Sequence, residues 1–301
     1  MLNLLKGRTE TVATDDRLIA DFLSGFSIEV MPRTAAKVED FRALLPQGTR
    51  VYVAHIEGTP IEEMVATAKR LRDEGFAPMP HIPARIIKDA AELEEWLVRY
   101  TQEAGVDQAL LLAGGVTQPY GAFDSSMKMM ETGLFQKHGL KRLHVGGHPE
   151  GNKDIDADGS SAIADAALAW KQAFAQETGV EMAIVTQFAF AAKPIVDWAE
   201  RLRNAGISLP IHVGIAGPAK LQTLIKYAIS CGVGPSLKVL QKRAMDLTKL
   251  MLPYEPNDVV AELAAWQAEH PEGLIKQVHF FPLGGIKTNA EWVNGRLDAV
   301  K

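Results

Sequence analysis

A single cysteine, Cys231, stands in 301 residues, so an internal disulfide and a multi-thiolate metal site are both excluded. Long apolar runs are missing as well. None approaches the roughly 18 residues of a membrane span, and the Leu-rich patch between Met1 and Arg8 is too short for a signal-peptide core. No sign of charge dominates: 32 Lys and Arg stand against 37 Asp and Glu, for a net charge of −5. The basic residues are scattered, which argues against a nucleic-acid surface. These absences lead us to expect a cytoplasmic protein with no nucleic-acid or membrane partner; a homo-oligomer is compatible with the chain. With 47% hydrophobic and 23% charged residues, a large core can be buried.

What is present is repetition. After a polar arm and a short helical stretch near Asp16–Leu23, taken together as an N-terminal unit over 1–24, a short apolar run, a Gly or Pro break and an amphipathic segment recur. The runs are Phe26–Met31, Val51–Ile56, Ala77–Ile82, Gln108–Ala113, Arg142–Gly146, Met182–Phe188, Leu209–Val213 and Gln277–Leu283. Between them we expect helices at Ala36–Leu45, Ile61–Glu74, Ala90–Gln102, Ser125–Lys137, Ser161–Glu177, Lys193–Ala205 and Pro218–Ser230, then Pro235–Leu250 and Asn257–His270 before the last strand. Eight such units with no linker predict an α/β fold, a (β/α)8 TIM barrel over 25–301 with extra helix after strand seven. A doubly wound sheet is the rival, but no GxGxxG follows the first strand.

In a barrel the chemistry gathers where strands end. Alternation in Phe26-Ser27-Ile28-Glu29-Val30-Met31-Pro32 puts Glu29 on the less apolar face. A carboxylate there is either a general acid with a raised pKa or a group satisfied by a nearby Arg or Lys. The other rim candidates are His55, His81 with Arg85, Gly114-Gly115, Gly146-Gly147-His148-Pro149-Glu150, Thr186-Gln187-Phe188, Gly214 and Gly284-Gly285. The Gly-Gly pairs suit either close approach of a flat or phosphorylated ligand, or tight βα turns. Gln187 can hold the amide edge of a heterocycle or stabilise a turn. Phe188, Phe190, Met31 and Phe280 read first as core.

Two metal readings are weighed. Asp154, Asp156, Asp158, Gly159 and Asp165 are spaced like a calcium loop, but an Asp closes it and no helix enters it, so a solvated loop with Ser160 or Ser161 as helix cap competes. His55, His81, His148 and His212 lie near strand ends, yet no strand pairs two histidines one residue apart, as metal-dependent barrel hydrolases do. We assign no metal ligand. No Lys lies at a strand end in the first seven units to form a Schiff base. Cys231 at a helix end reads as a packed thiol rather than a nucleophile.

Glu29 in its strand, Thr186-Gln187-Phe188, the Pro149-Glu150 turn, Ala205-Gly206-Ile207 with Pro210-Ile211 and Gly214-Ile215, and His279-Phe280 together resemble the methylenetetrahydrofolate reductase family, in its order, over about residues 25–285. The resemblance implies an oxidoreductase of one-carbon metabolism that interconverts 5,10-methylene- and 5-methyltetrahydrofolate on a barrel, with FAD bound across the strand ends and NAD(P)H as donor. It implies Glu29 as general acid and Gln187, Phe188 and Leu221 at the folate. His55, His81, Gly114, Gly115, His148 and Glu150 would surround the cofactor. The chain departs from the family where Leu-Arg-Gly-Asp is usual and Leu112-Ala113-Gly114-Gly115 stands. His148 replaces a tyrosine, Leu221 a stacking phenylalanine, and Leu283-Gly284-Gly285 a Leu-Asn-Arg. The alternatives are a flavin held by altered contacts, hydride passed directly from nicotinamide to folate, and a folate-binding barrel without redox chemistry.

Overall fold

The computed structural model describes residues 15–234, 236–245 and 252–300. Eight parallel strands close into a barrel in chain order: β1 (Ser27–Val30), β2 (Arg50–Val53), β3 (Ala77–Pro83), β4 (Gln108–Leu112), β5 (Arg142–Gly147), β6 (Glu181–Thr186), β7 (Ile211–Ala216) and β8 (Ile275–Phe281). Each bonds the next and β8 bonds β1, so the chain is a (β/α)8 barrel.

Parallel pairing sorts the side chains. Ile28, Val51 and Pro78 are cross-strand partners on one face, and Glu29, Tyr52 and Met79 on the other. The first face carries Ile28, Val51, Val53, Leu111, Val145 and Ile184 into the main apolar core beneath the helices. The face toward the barrel axis has a much smaller apolar group, Tyr52, Met79, Leu110 and Val185 with Leu112 at its edge. Much of the remaining axial surface is polar. Ser27, His279, His81, Gln108, Arg142, His144 and His212 share that side by register.

Helices differ from expectation at three places. Ala36–Leu45 is not one helix: Pro32 starts a short helix at once (Pro32–Ala35), and Asp40 caps a separate 3-10 turn, Phe41–Ala43, by accepting from Arg42 N at 3.0 Å. Ser125–Lys137 is split into Ser126–Met130 and Leu134–Lys137 at Gly133, whose φ of 70° lies in the left-handed region that ends helices. After β8 an unanticipated helix, Ile286–Asp298, buries Asn289, Ala290 and Val293. Its apolar stripe is thin, with Gly295 inside it, which is why no helical period stands out.

The extra helix after strand seven is present as Leu237–Met245, followed by Asn257–Glu269. The expected continuation to Leu250 falls outside the described residues, as does most of the N-terminal arm. The helix Asp16–Leu23 is capped by Asp15 and packs beside β8 and the helices Asn257–Glu269 and Ile286–Asp298. The closure is clamped from outside by Phe280, which is fully buried and meets Phe26 edge-on at 5.8 Å and Trp292 at 5.9 Å. Phe280→Ala is expected to cost about 3–5 kcal/mol, read as a lowered midpoint in denaturant unfolding with an unchanged m-value.

Candidate functional site

β1 aims Glu29 into the barrel one residue before the strand ends, and 19% of its side chain stays accessible from the mouth. Its partners are imidazoles rather than the Arg or Lys weighed above. His81 Nε2 lies 3.1 Å from Glu29 Oε2, and His279 Nε2 lies 4.0 Å from the same oxygen. Because β1 pairs with β8, Ser27 sits opposite His279, and its Oγ is 3.0 Å from His279 Nδ1.

His279 is fully buried, and burial, then the nearby His81, His212 and Arg50, push its pKa well below the ordinary imidazole value. It is therefore neutral at pH 7 and carries one N–H. With that proton on Nε2 it faces Glu29 with a donor, while the Ser27 hydroxyl donates to Nδ1. With the proton on Nδ1 it donates to Ser27 Oγ, whose own hydrogen can turn to Val278 O at 3.5 Å, and a bare Nε2 faces Glu29. One arrangement suits an ionised Glu29 and the other a protonated one. Ser27 does not read as a nucleophile, because no part of it reaches solvent.

Beneath this group Tyr52 brings its ring to 4.3 Å from that of His279 and its hydroxyl to 2.5 Å from His144 Nδ1. Burial raises the phenol's pKa. His144 in turn meets His212 edge-on at 4.8 Å and is held neutral by burial, then by His212 and Arg50. Tyr52 and His144 are absent from the residues singled out by sequence, Ser27 entered only as a neighbour of Glu29 on its strand, and His279 only as part of the family resemblance, with no role assigned. The signal for Ser27 was its shared face with Glu29; the others are mid-strand residues that only barrel closure brings together.

The expected residues scatter. Gln187 is half-buried at the end of β6, its Oε1 accepting from Phe188 N at 3.1 Å. It lies where β6 and β7 approach so closely that a Cβ on Gly214 would stand 2.3 Å from Thr186 O. Phe188 and Leu221 are buried in a second apolar cluster with Phe190, Leu224 and Tyr254, and offer little surface to a ligand. His55 faces outward, stacked on Trp96 at 5.0 Å with Nε2 3.0 Å from Thr59 O; burial lowers its pKa. Gly114 has φ 97°, and Gly115 is exposed in open space.

At the end of β5, His148 is held neutral by burial and then by Lys171, with its pKa down to about 4. Lys171, on the helix Ala162–Thr178, is itself buried, and that burial brings its pKa to about 8. Glu150 spends its carboxylate on backbone amides of the segment after β7, Gly234 N at 3.0 Å and Ser236 N at 3.2 Å. Ser236 Oγ also accepts from Phe190 N at 3.1 Å, so one short stretch ties the β5, β6 and β7 loops together. Of the glycine pairs, Gly147 and Gly284 serve packing: a Cβ would stand 2.5 Å from Ile184 Cγ2 and 2.1 Å from Pro218 O respectively.

His212 moves from the expected rim to the barrel's base, because β7 runs to Ala216 rather than stopping at Val213. The calcium-like loop is also resolved differently. Asp156 is buried and caps the helix Ala162–Thr178 by accepting from Ile163 N at 2.8 Å and Ala164 N at 3.2 Å, while the expected Ser160 takes Ala162 N on its Oγ at 3.3 Å and Ser161 caps no amide with its side chain. Asp165 pairs with Arg201. Among the described residues no cluster of three or more His, Cys, Asp or Glu is arranged to hold a metal ion. Cys231 is exposed rather than packed. A cavity of about 340 Å³ opens at the opposite, N-terminal end of the barrel. We place the candidate site at the mouth, where the βα loops converge.

No protein-family model matches the chain. Among solved structures it is similar to an uncharacterised protein from Clostridium thermocellum that binds two copies of 5-methyl-5,6,7,8-tetrahydrofolic acid. The TM-score is 0.57 at 13% identity, over 94% of this chain and 98% of that one; identity so low shows a shared fold. The dihydropteroate synthase from Anaplasma phagocytophilum with bound 6-hydroxymethylpterin-monophosphate follows at 0.46 and 11% identity, over 90% and 98%. The 7,8-dihydropteroate synthase from Vibrio fischeri ES114 stands at 0.42 and 11%, over 91% and 93%. These last two are too distant to bear on this chain.

Two outcomes follow from the geometry. A lysine whose pKa is depressed in the folded state binds fewer protons there than when unfolded. Stability therefore rises with pH between about 8 and the ordinary value of 10.5. Lys171→Met is expected to remove a penalty on the order of 3 kcal/mol at pH 7 and to flatten that rise, seen as the difference between variant and parent unfolding at pH 7 and pH 10. Glu150→Ala is expected to weaken the loop tie by about 1–3 kcal/mol, so that amide hydrogen exchange quickens at Gly234 and Ser236 but not in the barrel strands.

Proposed function

We propose that this chain interconverts 5,10-methylenetetrahydrofolate and 5-methyltetrahydrofolate, taking hydride from a reduced nicotinamide. The observation that carries the reading is Glu29, an accessible carboxylate inside a barrel mouth with the Ser27–His279 pair behind it. The folate bound by the solved neighbour of the same fold agrees with this choice of ligand.

In this reading Glu29 donates a proton to the folate nitrogen that leaves as the methylene bridge opens, and an iminium carbon remains on the other nitrogen. Hydride from nicotinamide adds to that carbon, giving the methyl group and an oxidised nicotinamide. The donor must lie within about 3–3.5 Å of the carbon. His279 complements Glu29 before and after its proton leaves, through its two tautomers, and Gln187 Nε2 and Oε1 at the β6 end offer a donor and an acceptor to the pterin's amide edge.

The residues expected to hold FAD do not fit it. His55 is stacked on Trp96, Glu150 is bonded to backbone amides, His81 is turned to Glu29, and glycines stand at the end of β4 where charged groups would be needed. We therefore infer direct transfer from NAD(P)H and route no step through a flavin.

The test is oxidation of NADH by the purified, flavin-free protein on addition of methylenetetrahydrofolate. Glu29→Gln is expected to lower turnover by about 10²–10⁴-fold while folate affinity stays within a few-fold. Loss of folate binding with unchanged turnover per bound folate would refute the acid role. A parent protein that binds folate tightly yet never consumes NADH would make this a binding barrel.

A further inference from the structure

At the opposite end of the barrel Arg50 and Arg142 open β2 and β5, both on the axial face. They donate to a single neutral oxygen: Gln108 Oε1 is 3.2 Å from Arg50 Nε and 3.2 Å from Arg142 Nη1, while Gln108 Nε2 is held by Pro78 O at 3.2 Å. The amide thus holds two like charges side by side, an arrangement that costs energy in a partly desolvated site. One carboxylate reaches them. Glu181 pairs with Arg142 but is 64% exposed, and Arg50 has no carboxylate partner among the described residues. Burial, before any other cause, lowers Arg50's pKa.

His212 projects toward the same place. It is 7% exposed, its Nδ1 is buried without a hydrogen-bond partner, and it lines the cavity of about 340 Å³ together with both arginines. Burial, then Arg50 and Arg142, bring its pKa to about 3 and keep it neutral, so it adds no third positive charge beside the arginines. Two charged donors and a neutral imidazole therefore border one cavity, and a buried ring nitrogen left without a partner is itself costly. Met182 and Pro210 supply an apolar wall.

We propose that this basal cavity is a second binding site, for a small organic molecule whose phosphate or carboxylate group sits between Arg50 and Arg142, with the neutral His212 ring in the cavity wall. Guanidinium forks match the geometry of such oxyanions. The volume lies near the lower end of small-molecule sites, roughly 300–1,000 Å³, and leaves room beyond the anionic group for its carrier. Glu29 stands at the other end of the axis, so this site does not depend on the reaction proposed for the mouth.

Calorimetric titration with inorganic phosphate and, separately, with succinate, at constant ionic strength to hold screening fixed, tests the proposal. At least one probe is expected to bind saturably at a single site. Arg50→Gln, which keeps a donor for Gln108, is expected to weaken that binding about tenfold or more, and Glu29→Gln to leave it unchanged. Arg142→Gln serves as a second variant should the first fail to fold. Preference for phosphate identifies a phosphorylated ligand class, and preference for succinate a carboxylate class. The proposal is overturned if neither probe saturates, or if binding survives at full strength in the arginine variants.

Discussion

The pairing of β1 with β8 is the contact on which the rest of the molecule depends. It joins residues separated by 252 positions, Ser27 and His279, and leaves no open sheet edge. Outside the barrel it is fixed by the rings of Phe26, Phe280 and Trp292; inside, it sets a hydroxyl against an imidazole directly beneath a carboxylate. Neither end of the chain holds the group at the mouth alone. Glu29 comes from the first strand, His279 from the last, and His81 from between them.

Closure also divides the work between the faces of the sheet. The outer face and its helices supply the large apolar core, so the axis can carry polar groups that would not support a fold by themselves. It does so by keeping them uncharged. Burial holds His144, His212 and His279 in the neutral form, and Tyr52 retains its proton next to His144. Carboxyl and guanidinium groups are confined to the ends, where water reaches them: Glu29 above, Arg50, Arg142 and Glu181 below. Desolvation thus grades the axis from rims reached by water to a neutral middle.

The barrel was legible from period and count, because alternation within a strand is a local property. Glu29 and Ser27 on one face follow from it directly. So does the outward turn of His55, which shares its parity with Val51 and Val53 and was nonetheless assigned to the mouth. What local pattern does not carry is register. The meeting of His279 with Ser27, or of Tyr52 with His144, is set by strand tilt and closure across the whole sheet. His212 was misplaced for a related reason: Gly214, Ile215 and Ala216 continue β7, with Gly214 pressed against Thr186 O, although a glycine there suggests a strand end. Phe188 and Leu221 were expected at a ligand, and their apolar character is equally that of the second core they join.

The loop tie made by Glu150 and Ser236 has a consequence for how these loops can move. Gly234 and Ser236, at the start of the addition that carries the helix Leu237–Met245 after β7, are anchored by a carboxylate from the β5 loop and, through the Ser236 hydroxyl, to the β6 loop. The hydrogen bonds of that anchorage come from the loops, while Ala216 of β7 joins Leu240 only through apolar packing. A displacement of the β5 loop is therefore passed through Glu150 and Ser236 to the segment after β7 and to the end of β6, so that the three loops move as one part.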